Sequence, residues 1–179
     1  AGAFGTVNQA REKYVQIGIG SDFQFCKPGV SPIEAAITPG YYQPKLLVLS
    51  FLGNAAADWA ADPAAAQRDA QRAMAQVPDG LPCVFMTTAP SFQPAANKLR
   101  LKAQANIRAA VAQTGGKCQF VGGVNGRTIA LMMSDKRSFR LNESNKVKDP
   151  FHPTHRGAQQ YLRLVKPQLC SAVLSALND

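Results

Sequence analysis

Apolar residues in this chain cluster in short unbroken runs, and the runs are separated by longer stretches whose apolar positions recur at helical spacing. "YVQIGIG", Tyr14–Gly20, is the first such run and predicts a buried strand ending in glycines. "KLLVLSFLG", Lys45–Gly53, is a stronger one. The alanine-rich "DPAAAQRDAQRAMAQV" that follows predicts a helix, because Asp62 suits the N-cap and Pro63 the first helical position, and "PDG" then supplies a turn. "LPCVFMTTAP" predicts another strand, "ANKLRLKAQANIRAAVAQTGG" a helix closed by Gly115 and Gly116, and "KCQFVGG" a further strand.

The stretch "SDKRSFRLNESNKVKD", Ser134–Asp149, has no such period and predicts a polar loop. The chain then closes with "THRGAQQYLRLVKPQLCSAVLSAL", a helix with Leu162, Val165, Leu169, Val173 and Leu177 on one apolar face and a kink expected at Pro167. Strand and helix alternate along the chain. Parallel strands joined by crossover helices make a sheet covered on both faces, with its sites at the carboxyl ends of the strands. No internal repeat, low-complexity tract or linker divides the 179 residues, so one α/β domain is expected.

Composition adds little to that frame. A hydrophobic content of 46% with 17% charged residues is ordinary for a globular chain, and no apolar run is long enough to span a membrane. The first residues lack the basic-then-apolar order of an export signal. The net charge of +9 favours encounters with anionic partners. Its basic residues are scattered, as in Lys98, Arg100 and Lys102, without aromatic interleaving, so nucleic acid is not the expected partner. Cys26, Cys83, Cys118 and Cys170 are too widely spaced for zinc knuckles. Cys83 and Cys118 fall in buried strands, where a free thiol packs as a small hydrophobe, whereas an oxidising compartment would pair some of the four cysteines, with three full pairings open. A periplasmic or secreted location is the expectation, with the cytoplasm as the alternative.

Candidate chemistry gathers in "KDPFHPTHRG", Lys148–Gly157, which holds both histidines. A carboxylate three residues before a histidine can fold back onto Nδ1–H and leave Nε2 free as a base. Asp149 and His152 suit those roles, and Pro150 and Pro153 stiffen the backbone around them. A blander description also fits, with Asp149 capping a turn and His152 an ordinary loop histidine. His155 is expected in the first helical turn, with Thr154 as its N-cap. Asp149, His152 and His155 could form a three-ligand set, but His-x-x-His across a loop-to-helix junction has no fixed geometry and no second ligand cluster accompanies it, so no metal is expected.

Elsewhere, "IGIGSDF" offers Gly18 and Gly20 after a strand, but Phe23 occupies the third glycine position of a dinucleotide loop, and no phosphate-loop motif occurs. A tight turn whose amide points into a site is the better use of those glycines. Asn54 follows the Lys45–Gly53 run, where its side-chain amide can donate to an oxyanion or cap the next segment.

In chain order, a strand ending in "GIG", a strand running into "GNAAAD" and a late "DPFHPT" before the terminal helix resemble three of the four sequence blocks of the SGNH, or GDSL-type, hydrolases. The resemblance covers nearly the whole chain. It implies a three-layer α/β/α sandwich with a mostly parallel, flavodoxin-like sheet, and a serine esterase, acetylesterase or acyltransferase acting on carboxylic esters, among them O-acetylated glycans. It implies His152 as general base, Asp149 as its orienting carboxylate, and Asn54 and Gly20 as oxyanion donors, with no metal or organic cofactor.

The third block reads Leu52-Gly53-Asn54 where the family has Gly-x-Asn, and no Gly-Asp-Ser occurs. Reading Gly20 as the second-block glycine makes residues 1–179 a single domain whose first strand and nucleophile loop would stand ahead of Ala1. Two other accounts stay open. Ser21, in "GSDF", or a serine of another chain is the nucleophile, or the nucleophile has been lost and the domain binds an acidic glycan or a partner protein.

Overall fold

The computed structural model describes residues 44–52 and 55–178. The expected strand at Tyr14–Gly20 lies outside those residues. Strand β1, Leu47–Ser50, is followed by helices α1, Ala56–Ala61, and α2, Pro63–Met74. Then come β2, Cys83–Met86, helix α3, Pro94–Ala112, and β3, Gln119–Val121. The three strands form one parallel sheet in the order β1-β2-β3, with Leu47 opposite Cys83 and Val84 opposite Gln119. Successive strands are neighbours, and each step between them is a helical crossover, which parallel pairing demands. The molecule is therefore mixed α/β, as the alternation of elements predicts.

Period-two alternation divides the side chains between two cores. Cys83 and Phe85 join Leu47 and Leu49 of β1 in a cluster with Trp59 of α1, Ala66, Ala70 and Met74 of α2, and Ala103, Ile107 and Val111 of α3. Val84 and Met86 point the other way, into a cluster with Val121 and residues from the second half of the chain. All four β2 residues are buried, which accounts for the unbroken apolar run in the sequence. Full burial of a side chain such as Phe85 is worth about 1.5–3 kcal/mol.

The helix termini follow their local chemistry. Asp62 accepts the Ala64 amide at 2.9 Å and Pro63 occupies the first turn of α2, where its missing N–H costs nothing. Gly115 and Gly116, at φ of 78° and 75°, turn the chain out of α3. The disulfide Cys83–Cys118 joins the first residue of β2 to the residue preceding β3, deciding between the two states open to these cysteines, while Cys170 is a free, exposed thiol.

Three features depart from the sequence reading. Helix α4, Gly126–Ser134, was not anticipated. Its signal is a capping box in which Asn125 and Thr128 satisfy each other's backbone amides. The expected polar loop Ser134–Asp149 is instead a 3₁₀ turn, Lys136–Ser138, leading into an antiparallel pair, β4, Phe139–Leu141, and β5, Val147–Pro153. Phe139, only 1% exposed, anchors that pair in the second core despite its polar neighbours. Asp149–Pro153 of the "DPFHPT" segment thus enters as strand rather than loop, and Thr154 follows it.

The last helix, α5, His155–Asn178, runs through Pro167, which sits at an exposed position. Its buried positions are Gly157, Tyr161, Val165, Leu169 and Ala176. Leu177, expected on the apolar face, is 51% exposed, because Ala176 takes the inward position in the final turn. Among the described residues no helix is long and apolar enough to cross a membrane.

Candidate active site

Asp149 and His152 meet within β5, just ahead of α5. One carboxylate oxygen of Asp149 accepts the amides of Phe151 at 3.0 Å and His152 at 3.1 Å, closing a tight side-chain turn over Pro150. The other oxygen lies 2.8 Å from His152 Nδ1. An ionised carboxylate can only accept, so Nδ1 carries the proton and Nε2 presents its lone pair.

Partial burial is the largest single influence on Asp149 and raises its pKa. Hydrogen bonds from the Phe151 amide, the His152 ring and the His152 amide together outweigh it and hold the carboxyl below the usual aspartate value. The His152 side chain is 86% exposed, against 30% for Asp149, so the imidazole faces solvent while the carboxylate beside it is sheltered.

The pair is anchored on both sides. The Pro150 carbonyl accepts the Phe92 amide at 2.8 Å and the Ser91 hydroxyl at 2.8 Å. Ser91 and Phe92 belong to the loop leaving the carboxyl end of β2, so the pair stands on the edge of the parallel sheet where such folds place their sites. Two residues beyond His152, Thr154 donates its amide to Ser138 O at 2.8 Å and accepts the Gly157 amide as the cap of α5. The first turn of α5 passes so near the 3₁₀ turn that a Cβ on Gly157 would lie 2.2 Å from the Ser138 carbonyl oxygen.

The loop after β2 is itself held by one face of α3. Asn97 accepts the Ser91 amide at 2.7 Å and donates to the Ser91 carbonyl at 2.8 Å. Arg100 donates to the Ala89 carbonyl and lies 5.7 Å from the Phe151 ring centroid. Gln104 bonds Thr87 and the backbone of Val124, while Tyr161 donates to the Thr87 carbonyl. Burial pushes the Tyr161 phenol well above its usual pKa and lowers that of Arg100.

Arg100, one of the scattered basic residues, is not a surface charge. It is only 6% exposed, because its helical position falls on the same stripe as buried Ala103 and Ile107. Asn97, Arg100 and Gln104 interrupting an apolar stripe at three- and four-residue steps was the signal available for this polar ladder.

His155 does not join His152. It occupies the first turn of α5, exposed, with its Nε2 2.9 Å from Gln159. Among the described residues no group of three histidine, cysteine or acidic side chains is placed to hold a metal. Gly20, Ser21 and Asn54 lie outside the described residues, and within those residues no hydroxyl bonds to His152 Nε2. Surface recesses of about 390 and 360 Å³ lie beside Asp58 and Asp69, and beside Asp79 and Lys117, and neither includes Asp149 or His152. Compared with protein-family models, curated proteins and solved structures, the chain matches none.

Proposed function

We propose that this chain supplies the histidine–aspartate half of an SGNH-type serine hydrolase. The observation that carries the reading is the 2.8 Å contact between Asp149 and His152 Nδ1, made by a carboxylate that also holds the intervening backbone and leaves Nε2 open to solvent. The finer architecture of the proposal is a three-layer α/β/α sandwich with a flavodoxin-like sheet, supported by the buried clusters that receive alternate side chains of β2.

In the reaction, a serine hydroxyl attacks the carbonyl of a carboxylic ester while His152 takes its proton. The tetrahedral oxyanion is received by Asn54 and the Gly20 amide, and the proton returns to the departing alcohol. Water or a second alcohol then resolves the acyl-enzyme. Ser21 is the candidate nucleophile within this sequence, and a serine ahead of Ala1 is the candidate outside it. No metal or organic cofactor enters these steps. The substrate class is a carboxylic ester, O-acetyl groups on glycans among them, and the net charge of +9 favours acidic glycans as carriers. The Cys83–Cys118 disulfide supports a periplasmic or secreted setting.

The test is hydrolysis of p-nitrophenyl acetate by the natural protein, with mapping of the adduct left by a fluorophosphonate. His152→Ala should cost about 10²–10⁴ in turnover, and Asn54→Ala about 10²–10³. Turnover equal to the unaltered protein in His152→Ala would remove the base from this reading.

A second reading is favoured by the net charge of +9, which draws anionic partners. In it the domain binds an acidic glycan or partner protein without turnover. Salt-sensitive binding with neither hydrolysis nor adduct would select it.

A further inference from the structure

The peptide group between Pro150 and Phe151 is gripped at both ends. Its N–H is donated to Asp149 Oδ1 at 3.0 Å, and its carbonyl accepts Ser91 Oγ and the Phe92 amide, each at 2.8 Å. A peptide group is planar, so rotating the carbonyl away from Ser91 also rotates the N–H away from Asp149. The same Asp149 carboxylate directs its other oxygen to His152 Nδ1. The orientation of the base therefore depends on a carbonyl whose partners stand 58 and 59 positions earlier in the chain.

Ser91 is built for that task. It is fully buried, its one hydroxyl proton goes to Pro150, and its oxygen accepts the Gln93 amide at 3.1 Å. Its own backbone N–H and C=O are both taken by the side-chain amide of Asn97, itself only 2% exposed. The Asn97 amide thus completes both backbone bonds of Ser91, in the manner of a neighbouring strand, and fixes the hydroxyl in space.

We infer that Ser91, locked by Asn97, is the positioning residue of the Asp149–His152 pair, acting through the Pro150–Phe151 peptide plane. The inference rests on the reading of that pair as the base and its orienter. Ser91 touches no reacting atom; it sets which tautomer His152 adopts and how firmly it is held.

Nitrogen-15 NMR of the His152 ring in the full chain reads this directly. Asp149→Asn should shift His152 from the Nδ1–H toward the Nε2–H tautomer. Ser91→Ala should move it the same way by about two- to ten-fold in tautomer ratio, the effect of one lost net hydrogen bond. Ser134→Ala, which removes an exposed hydroxyl bonded to Leu131 O, should leave the ring unchanged.

If Asp149→Asn moves the tautomer and a folded Ser91→Ala does not, Ser91 has no positioning role and the pair survives without it. If Asp149→Asn moves nothing, the pair itself falls. Should Ser91→Ala fail to fold, the unaltered protein decides through the coupling across the Phe92 N–H to Pro150 O=C hydrogen bond. That coupling should change in step with the Phe151 amide shift as Asp149 is protonated. A coupling constant through that titration, while the Phe151 amide moves, overturns the inference.

Discussion

At the scale of single residues, the hydrogen bonds of Asp149 make a pH prediction. Its folded pKa lies below the ordinary aspartate value, so these bonds add stability above the unfolded pKa, and the contribution is lost as pH falls through the folded one. The stability difference between the unaltered protein and Asp149→Asn is read from urea melts at successive pH. It should close below about pH 4, the usual aspartate range. Gly157 makes a steric prediction. Its missing Cβ leaves room for the Ser138 carbonyl, and that backbone atom cannot swing aside as a flexible side chain would. Gly157→Ala should therefore cost about 1–3 kcal/mol in a urea melt, and it should disturb the Thr154 anchor beside His152 before the distant core. A variant as stable as the parent would mean that α5 shifts freely against the 3₁₀ turn.

At the scale of elements, capping decides where helices begin, and one cap is open to direct measurement. Asp62 both accepts the Ala64 amide and meets Arg68 at 3.3 Å across an exposed surface. The amide bond is the stabilising contact, since a solvent-screened ion pair adds little. Asp62→Ala should destabilise by about 1 kcal/mol, and Asp62→Ser or Asp62→Asn should recover most of that although the charge is gone. If neither neutral variant recovers stability, the ion pair rather than the cap carries Asp62's contribution. The hairpin of β4 and β5 teaches a different lesson. Its sequence is dominated by charged and amide side chains, and only Phe139 and a few half-buried neighbours tie it to the core. A period-two reading fails there because the pairing shifts register on both sides of Arg140.

At the scale of the whole molecule, the Cys83–Cys118 disulfide closes a loop of 35 residues around α3 and the β2 loop that supports Pro150. By closing that loop it limits the unfolded chain, so replacing both cysteines with alanine should lower stability by about 2–4 kcal/mol. The fold should persist, because Cys83 and Cys118 are two among many buried residues of the first core and the second core contains neither. Thermal melts of the double variant, with circular dichroism to confirm unchanged helix content, check both halves of that expectation. A variant that loses its helix content at neutral pH would mean that the three-stranded parallel sheet is too small to stand without its covalent tie.

Local spacing was enough for the features that neighbours along the chain create. Asp149 and His152 are three positions apart, so their contact needs only a turn over Pro150, and the Asp62-Pro63 cap and the unbroken run of β2 are equally short-range. The alternation of such elements was enough for a parallel α/β sheet. The folded chain alone decided the pairing of Cys83 with Cys118, the burial of Arg100 and the clamp from Ser91 to Pro150. In each case the partners are far apart in sequence or belong to a packed face. Which polar group meets which then depends on how helices and strands stack, and residue spacing carries no information about that distance.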